Sequence, residues 1–260
     1  MSNLLRNKVF ISTRPADQNK ELKNLLEKEG AKLLEMPTIN IQSNDLTGKE
    51  EDMLIHINQF SWIVFTSPNG IRFFFQKLNE ITGSYYLPSS IKLASVGKKT
   101  SRLLMEYGHE VTIENPGNTS EDLTEELLKA VNEEDSILFP EGDLARGVIA
   151  DRLSETASCE TLVVYKNTIP THINQNILTQ IIKGKYDGII LTSPSGFNNL
   201  MTILNNKTET QKLKLICIGS TTASEVTLNG FKPVAIARMS SAEGIVEVIL
   251  DIYHTTTVKS

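Results

Sequence analysis

The sequence predicts an α/β protein made of two similar domains, each a doubly wound parallel sheet. Two observations predict it. Short apolar runs alternate with amphipathic stretches along all 260 residues, and several of the runs carry little polar alternation. Strands covered by helices on both faces read that way. The chain also repeats itself, because FTSPNGIRFFF at 65–75 returns as LTSPSGFNNLM at 191–201.

The elements follow in order. Val9–Ser12 reads as a first strand. Asp17 to Glu29 places Leu22, Leu25 and Leu26 on one side of a helix, with Gly30 as its stop. Trp62–Phe65 and Leu93–Val96 are strands, and a helix over 99–107 ends at Gly108. Ile137–Phe139, Leu162–Tyr165, Ile189–Leu191 and Leu215–Ile218 are further strands, and a helix over 221–229 ends at Gly230. Strand, turn, helix and strand in alternation imply parallel sheets with right-handed crossovers.

The repeat extends well beyond one turn. SVGKKTSRLLMEYGHEV (95–111) aligns with CIGSTTASEVTLNGFKPV (217–234), so that Gly97 pairs with Gly219, Thr100 with Thr222 and Gly108 with Gly230. Ser120 to Leu123 falls over Ala242 to Ile245. KVFIS near residue 10 resembles SILFP near 138, and GAKLLEMP (30–37) lies over SCETLVVY (158–165). The order never changes and the period is too long for a solenoid, so the pattern implies a duplicated domain. Taken alone, the repeat would cut the chain once, near residue 130.

Composition narrows the function. A net charge of −5 gives no basic face for nucleic acid. Any anionic ligand must be held by local donors, because the overall field repels it. No stretch approaches 18 apolar residues, and MSNLLRNKVFISTRP lacks the apolar run of a signal peptide. Cys159 and Cys217 form neither a CxxC pair nor a metal spacing, which fits a reduced, cytoplasmic compartment better than a disulfide. His56, His109, His172 and His254 show no ligand spacing, and no phosphate-loop, GxGxxG, HExxH or GxSxG motif is present. Metal, nucleotide and serine-nucleophile chemistry are disfavoured.

The repeated turns carry the functional signal. In doubly wound sheets ligands gather where the carboxyl end of a strand meets the amino end of a helix. In WIVFTSPNG a strand leads through Thr66 and Ser67 to a proline suited to the first helical position. Backbone N–H groups and hydroxyls there make a neutral anion-binding site. Ser193 and Ser195 repeat it in LTSPSG. In SVGKKT and CIGSTT, Gly97 and Gly219 let backbone approach a ligand, Thr100, Thr221 and Thr222 offer hydroxyls, and Lys98 and Lys99 add charge. The same residues also read as ordinary helix caps.

STRP, FTSPNGI, VGKKT, PEGDLAR (140–146), VVYKNT (162–168), LTSPSG and IGSTTA occur in that order. The set resembles the uroporphyrinogen-III synthase family over about residues 8–250. That resemblance implies two flavodoxin-like domains joined by a two-stranded connector, with the active site in the interdomain cleft. Domain one would hold 1–36 and 169–260, and domain two 40–163, with crossings at about 36–40 and 163–170. It implies cyclisation of linear hydroxymethylbilane, a polycarboxylate, with loss of water and inversion of ring D. No cofactor or metal, no nucleic acid and no membrane would be involved, and a monomer is expected.

The resemblance also assigns residues. Tyr165 matches the active-site tyrosine in VVYKNT, and its phenol could donate a proton to the leaving hydroxyl. On its residues alone it reads first as a strand-end tyrosine packed with its hydroxyl in water. Thr100, Thr222, Ser67, Ser193, Ser195, Gly97, Gly219 and Thr221 would form the substrate-binding donor rim. Lys214 resembles a substrate-carboxylate contact, or is a solvated lysine at a strand start. Arg14 and Arg146 could grip carboxylates bidentately, or fix loops. The competing class is a non-catalytic two-lobed binding or sensor protein on the same fold. A nucleotide binder is disfavoured by the missing phosphate loop.

Overall fold

A computed structural model describes residues 4–15, 18–115, 120–205 and 213–257. The chain divides into two compact units, Met1–Asn40 with Thr168–Ser260, and Ile41–Asn167.

The first unit holds β1 (Val9–Ser12), α1 (Lys20–Lys28) and β2 (Lys32–Glu35). The second holds β3 (Asn40–Ser43), α2 (Gly48–Ile55), β4 (Trp62–Phe65), α3 (Pro68–Thr82), β5 (Lys92–Val96), α4 (Lys98–Glu106), β6 (Ile113–Asn115), α5 (Ser120–Ala130), β7 (Ser136–Gly142), α6 (Val148–Leu153) and β8 (Ser158–Thr168). The chain then returns to the first unit with α7 (Gln175–Ile182), β9 (Gly188–Leu191), α8 (Pro194–Leu204), β10 (Leu215–Cys217), α9 (Ser220–Leu228), β11 (Ala235–Ile236) and α10 (Ala242–Thr257).

The first sheet runs β11-β10-β9-β1-β2 with every pairing parallel. Counted along the chain that is the flavodoxin order 2-1-3-4-5. The second runs β3-β8-β7-β4-β5-β6. Setting β7 and β8 over β1 and β2, and β4, β5 and β6 over β9, β10 and β11, gives the same edge-to-edge order with the chain entering at its third strand. The two halves are thus circularly permuted copies, and the repeat runs through both. β3 is the added edge. Asn40 faces Thr168 and Asn44 faces Val164 through hydrogen bonds, so the residue numbers rise on one strand as they fall on the other, and β3 lies antiparallel to β8.

Each central strand is buried on both sides. Along β4, Ile63 and Phe65 enter a core with Phe74, Phe75 and Leu162, whereas Trp62 and Val64 enter another with Leu123, Leu127 and Phe139. That two-sided burial produces the unbroken apolar run WIVF. Along β9, Ile189 and Leu191 face one core and Ile190 the other.

Several elements differ from the sequence reading. Asp17, the expected start of the first helix, lies outside the described residues, and α1 begins at Lys20. The buried Asn19 ties down the preceding turn, accepting from Ser12 Oγ at 2.7 Å and donating to the carbonyls of Arg14 and Pro15. Leu22 and Leu26 are buried in α1, and Leu25 is only partly so. The last strand stops at Cys217, one residue before Ile218. β2, β3, β6 and β11 are additions to that reading. All four are edge strands of two to four residues with mixed burial, too short to show a period. No helix among the described residues is long and apolar enough to cross a membrane.

Candidate active site

The two TSP turns have one geometry. Ser67 and Ser193 cap α3 and α8 from extended backbone, at φ −155°, ψ 153° and φ −157°, ψ 155°. Ser67 Oγ accepts from Gly70 N at 3.1 Å and Ser193 Oγ from Gly196 N at 3.0 Å, and a proline opens each helix. The following glycine is dictated by packing in the first turn and favoured by it in the second. A Cβ on Gly70 would stand 2.7 Å from the Pro140 carbonyl oxygen, and one on Gly196 3.0 Å from Ser193 Oγ. The motif is therefore first a joint, seating each helix start against its own sheet. Ser195 Oγ lies 3.2 Å from Ser193 Oγ.

These joints stand at the switch points of the sheets. β4 and β7 are neighbours whose connections run to opposite edges, as are β1 and β9. Crevices at the carboxyl ends of such strand pairs are the ligand sites of open α/β sheets. In the second unit a cavity of about 360 Å³ opens there, lined by Thr66, Glu121, Glu141 and Arg146 among others. Burial, and then the charge of Asp151, push the Glu141 carboxyl above its usual range. Arg14 follows the carboxyl end of β1 as Arg146 follows that of β7.

The next pair of turns is less alike. Gly97 adopts φ +76°, ψ 148°, a conformation that requires glycine. Gly219 is extended at φ −179°, and a Cβ there would meet only Ser240 Oγ at 2.8 Å, a hydroxyl free to rotate. Thr100 and Thr222 each hold the third helical position, at 2% and 3% exposure. Most of each side chain is therefore covered by its own unit. The exposed side chains at these helix starts are Lys98, Lys99, Ser220 and Thr221. Behind the first turn, buried Ser95 and Ser101 share a hydrogen bond of 2.8 Å. Their counterparts are Cys217 and Ala223, so both hydroxyls are absent together in the other copy. Burial pushes the Cys217 thiol up to about 11, which keeps it neutral.

Lys214 requires correction. It precedes β10 and so lies at the amino edge of an all-parallel sheet, opposite the donor turns. Its ammonium donates to the Tyr186 carbonyl at 3.2 Å and sits 5.9 Å from that ring's centroid. The lysine anchors the β9–β10 entry and does not join the rim.

Tyr165 lies near the carboxyl end of β8, half-buried. Its ring stacks on Phe73, with centroids 5.5 Å apart and planes at 29°. It also covers Gly142, where any Cβ would overlap the ring. The hydroxyl makes no hydrogen bond to the described residues. Among those residues no group of three His, Cys, Asp or Glu could hold a metal ion.

The family model described as "Uroporphyrinogen-III synthase HemD" matches residues 20–247. The chain belongs to the uroporphyrinogen-III synthase family. A Methanocaldococcus jannaschii protein is 30% identical over 246 residues, 92% of this chain and 96% of its own length. The uroporphyrinogen-III synthase of Chlorobaculum parvum is 28% identical over 237 residues, 86% of this chain and 91% of that one. In fold, the chain is similar to a mutant uroporphyrinogen III synthase of the extreme thermophile Thermus thermophilus, with TM-score 0.62, 14% identity and coverage of 96% and 99%. The Helicobacter pylori enzyme gives TM-score 0.61 at 18% identity, with coverage of 95% and 99%.

Each sheet of this synthase-family chain gathers its own set at the carboxyl edge. Ser67, Gly97, Arg146 and Tyr165 share one rim, and Arg14, Ser193, Ser195, Gly219 and Thr221 share the other. Sequence reasoning missed Glu141, Phe73 and Asn44. A carboxylate ending the apolar run SILFP was a usable signal for the first. Nothing local distinguishes the other two.

Proposed function

We propose that this chain closes hydroxymethylbilane into uroporphyrinogen III, using helix-start donor turns to hold the substrate's carboxylates and Tyr165 to assist departure of water. The family match over residues 20–247 supports the reaction. The observation that carries the residue assignment is the half-exposed phenol of Tyr165, packed by Phe73 and Gly142 with its hydroxyl free of the described residues.

The electron pair comes from the substrate. The ring A pyrrole nitrogen pushes out the methylene hydroxyl, which leaves as water with a proton from the phenol. Ring D attacks the resulting azafulvene through its substituted carbon, the spiro intermediate fragments and recloses with ring D inverted, and the proton lost from ring D's formerly free α carbon restores the phenol. The protein's share is to hold a flexible chain in one conformation and to place one donor. Helix-start N–H groups suit this, because they bind carboxylates without bringing a cation that would itself need a counter-charge. Arg14 and Arg146 add bidentate grips at the two switch points. Thr100 and Thr222, at the third positions of α4 and α9, complete these donor turns. We expect a cytoplasmic monomer that works without cofactor or metal.

Incubation with freshly made hydroxymethylbilane and separation of the product isomers tests the proposal. Type III product is expected, and type I product alone removes the enzymatic reading. Full inverting activity in Tyr165→Phe removes the acid role.

A further inference from the structure

We propose that Asn44 is a positioning residue, which fixes a β-bulge in β8 and thereby aims the Tyr165 phenol. This rests on the assignment of Tyr165 as proton donor. Along β7 and β8 the register runs in step from Ser136 opposite Ser158 to Glu141 opposite Val163, then passes to Gly142 opposite Tyr165. Val164 is therefore an extra residue. On a regular strand successive side chains point to opposite faces. Leu162 and Val164 both enter the core that holds Phe65 and Phe74, so an unbulged Tyr165 would point to the other face. The extra residue turns it back. Its ring packs on the same core, against Phe73 and over Gly142. Bulges recur beside active sites because they re-aim a single side chain in this way.

Asn44 grips that irregularity from the opposite edge of β8. Its backbone N–H donates to the Val164 carbonyl at 3.0 Å, and its Nδ2 donates to the Val163 carbonyl at 2.7 Å. These are the carbonyls of the extra residue and of the one before it. Asn44 is 6% exposed, and its Oδ1 has no hydrogen-bond partner among the described residues. An unsatisfied buried amide oxygen is costly, so packing alone would be better served by an apolar side chain. The amide is explained by what its nitrogen holds.

The test places 3-fluorotyrosine at position 165 of the full chain and reads its 19F shift in wild type, Asn44→Ala and Gly142→Ala. Both substitutions are expected to move or broaden the signal. In unlabelled protein, Asn44→Ala is expected to lower kcat by about ten-fold or more with KM within about two-fold, as for a misplaced catalytic group. It should also raise the fraction of type I isomer. In a Tyr165→Phe background the same substitution should lower kcat no further. An unmoved 19F signal overturns the proposal, as does an equal loss of kcat in both backgrounds, which marks general destabilisation. Asn44→Leu keeps the approximate size and removes the amide without adding a charge, so it serves should the alanine variant not fold. If Tyr165→Phe remains fully active the acid assignment fails, while the 19F signal still reports independently whether Asn44 sets the ring.

Discussion

Substituting Ser67 separates the two roles of a TSP turn, the cap and the carboxylate site. Ser67→Ala removes one N-cap hydrogen bond, the 3.1 Å contact from Gly70 N. Losses of this kind cost about 1 kcal/mol. If the second unit, Ile41–Asn167, unfolds cooperatively, its unfolding entropy is about 0.27 kcal/mol/K, and the midpoint should fall by about 4 °C. Ser67→Asp keeps an acceptor at the same place and adds a charge favourable to a helix start, so it should melt near wild type. It also places that charge where a substrate carboxylate is proposed to sit. Two like charges about 5 Å apart repel by about 0.8 kcal/mol even in water-like screening, which is about four-fold in KM. Differential scanning fluorimetry and steady-state kinetics read the two effects separately. An alanine variant as stable as wild type refutes the capping argument. An aspartate variant with unchanged KM refutes carboxylate binding at the start of α3.

Further predictions follow from the same geometry. Burial opposes the charge of Asp187, but the Val9 N–H, Lys8 and Tyr253 hold its carboxyl below the usual range. The wild-type advantage over Asp187→Asn, about 1–3 kcal/mol, should therefore be complete above about pH 4. It should vanish as pH falls through the lower folded value, as read from chemical denaturation at several pH values. Ser95→Ala alone leaves the buried Ser101 hydroxyl only its 3.5 Å contact with the Gly97 carbonyl and should cost about 1–3 kcal/mol, whereas Ser95→Ala with Ser101→Ala should cost less than the sum of the singles. The Cys217 and Ala223 pair already does without both hydroxyls in the other copy. Lys214→Ala should leave KM within about two-fold, because it stands at the wrong edge of its sheet; a large rise in KM would restore it to the site.

By itself the sequence determined the parts whose cause is local. Strands buried on both faces must be apolar throughout, so WIVF and GIIL were legible. Ser, Pro and Gly at the TSP turns answer a cap, a first helical position and a close approach, and that chemistry is written in six residues. The duplication was legible because those turns returned in order. Tertiary structure decided what depends on partners distant in the chain. The edge strands take their form from neighbours, because residues such as Asn40–Ser43 carry no preference strong enough to declare themselves. The turn of Tyr165 onto Phe73 depends on register. An extra residue opposite Gly142 reverses a side chain's direction while leaving no mark in the local sequence.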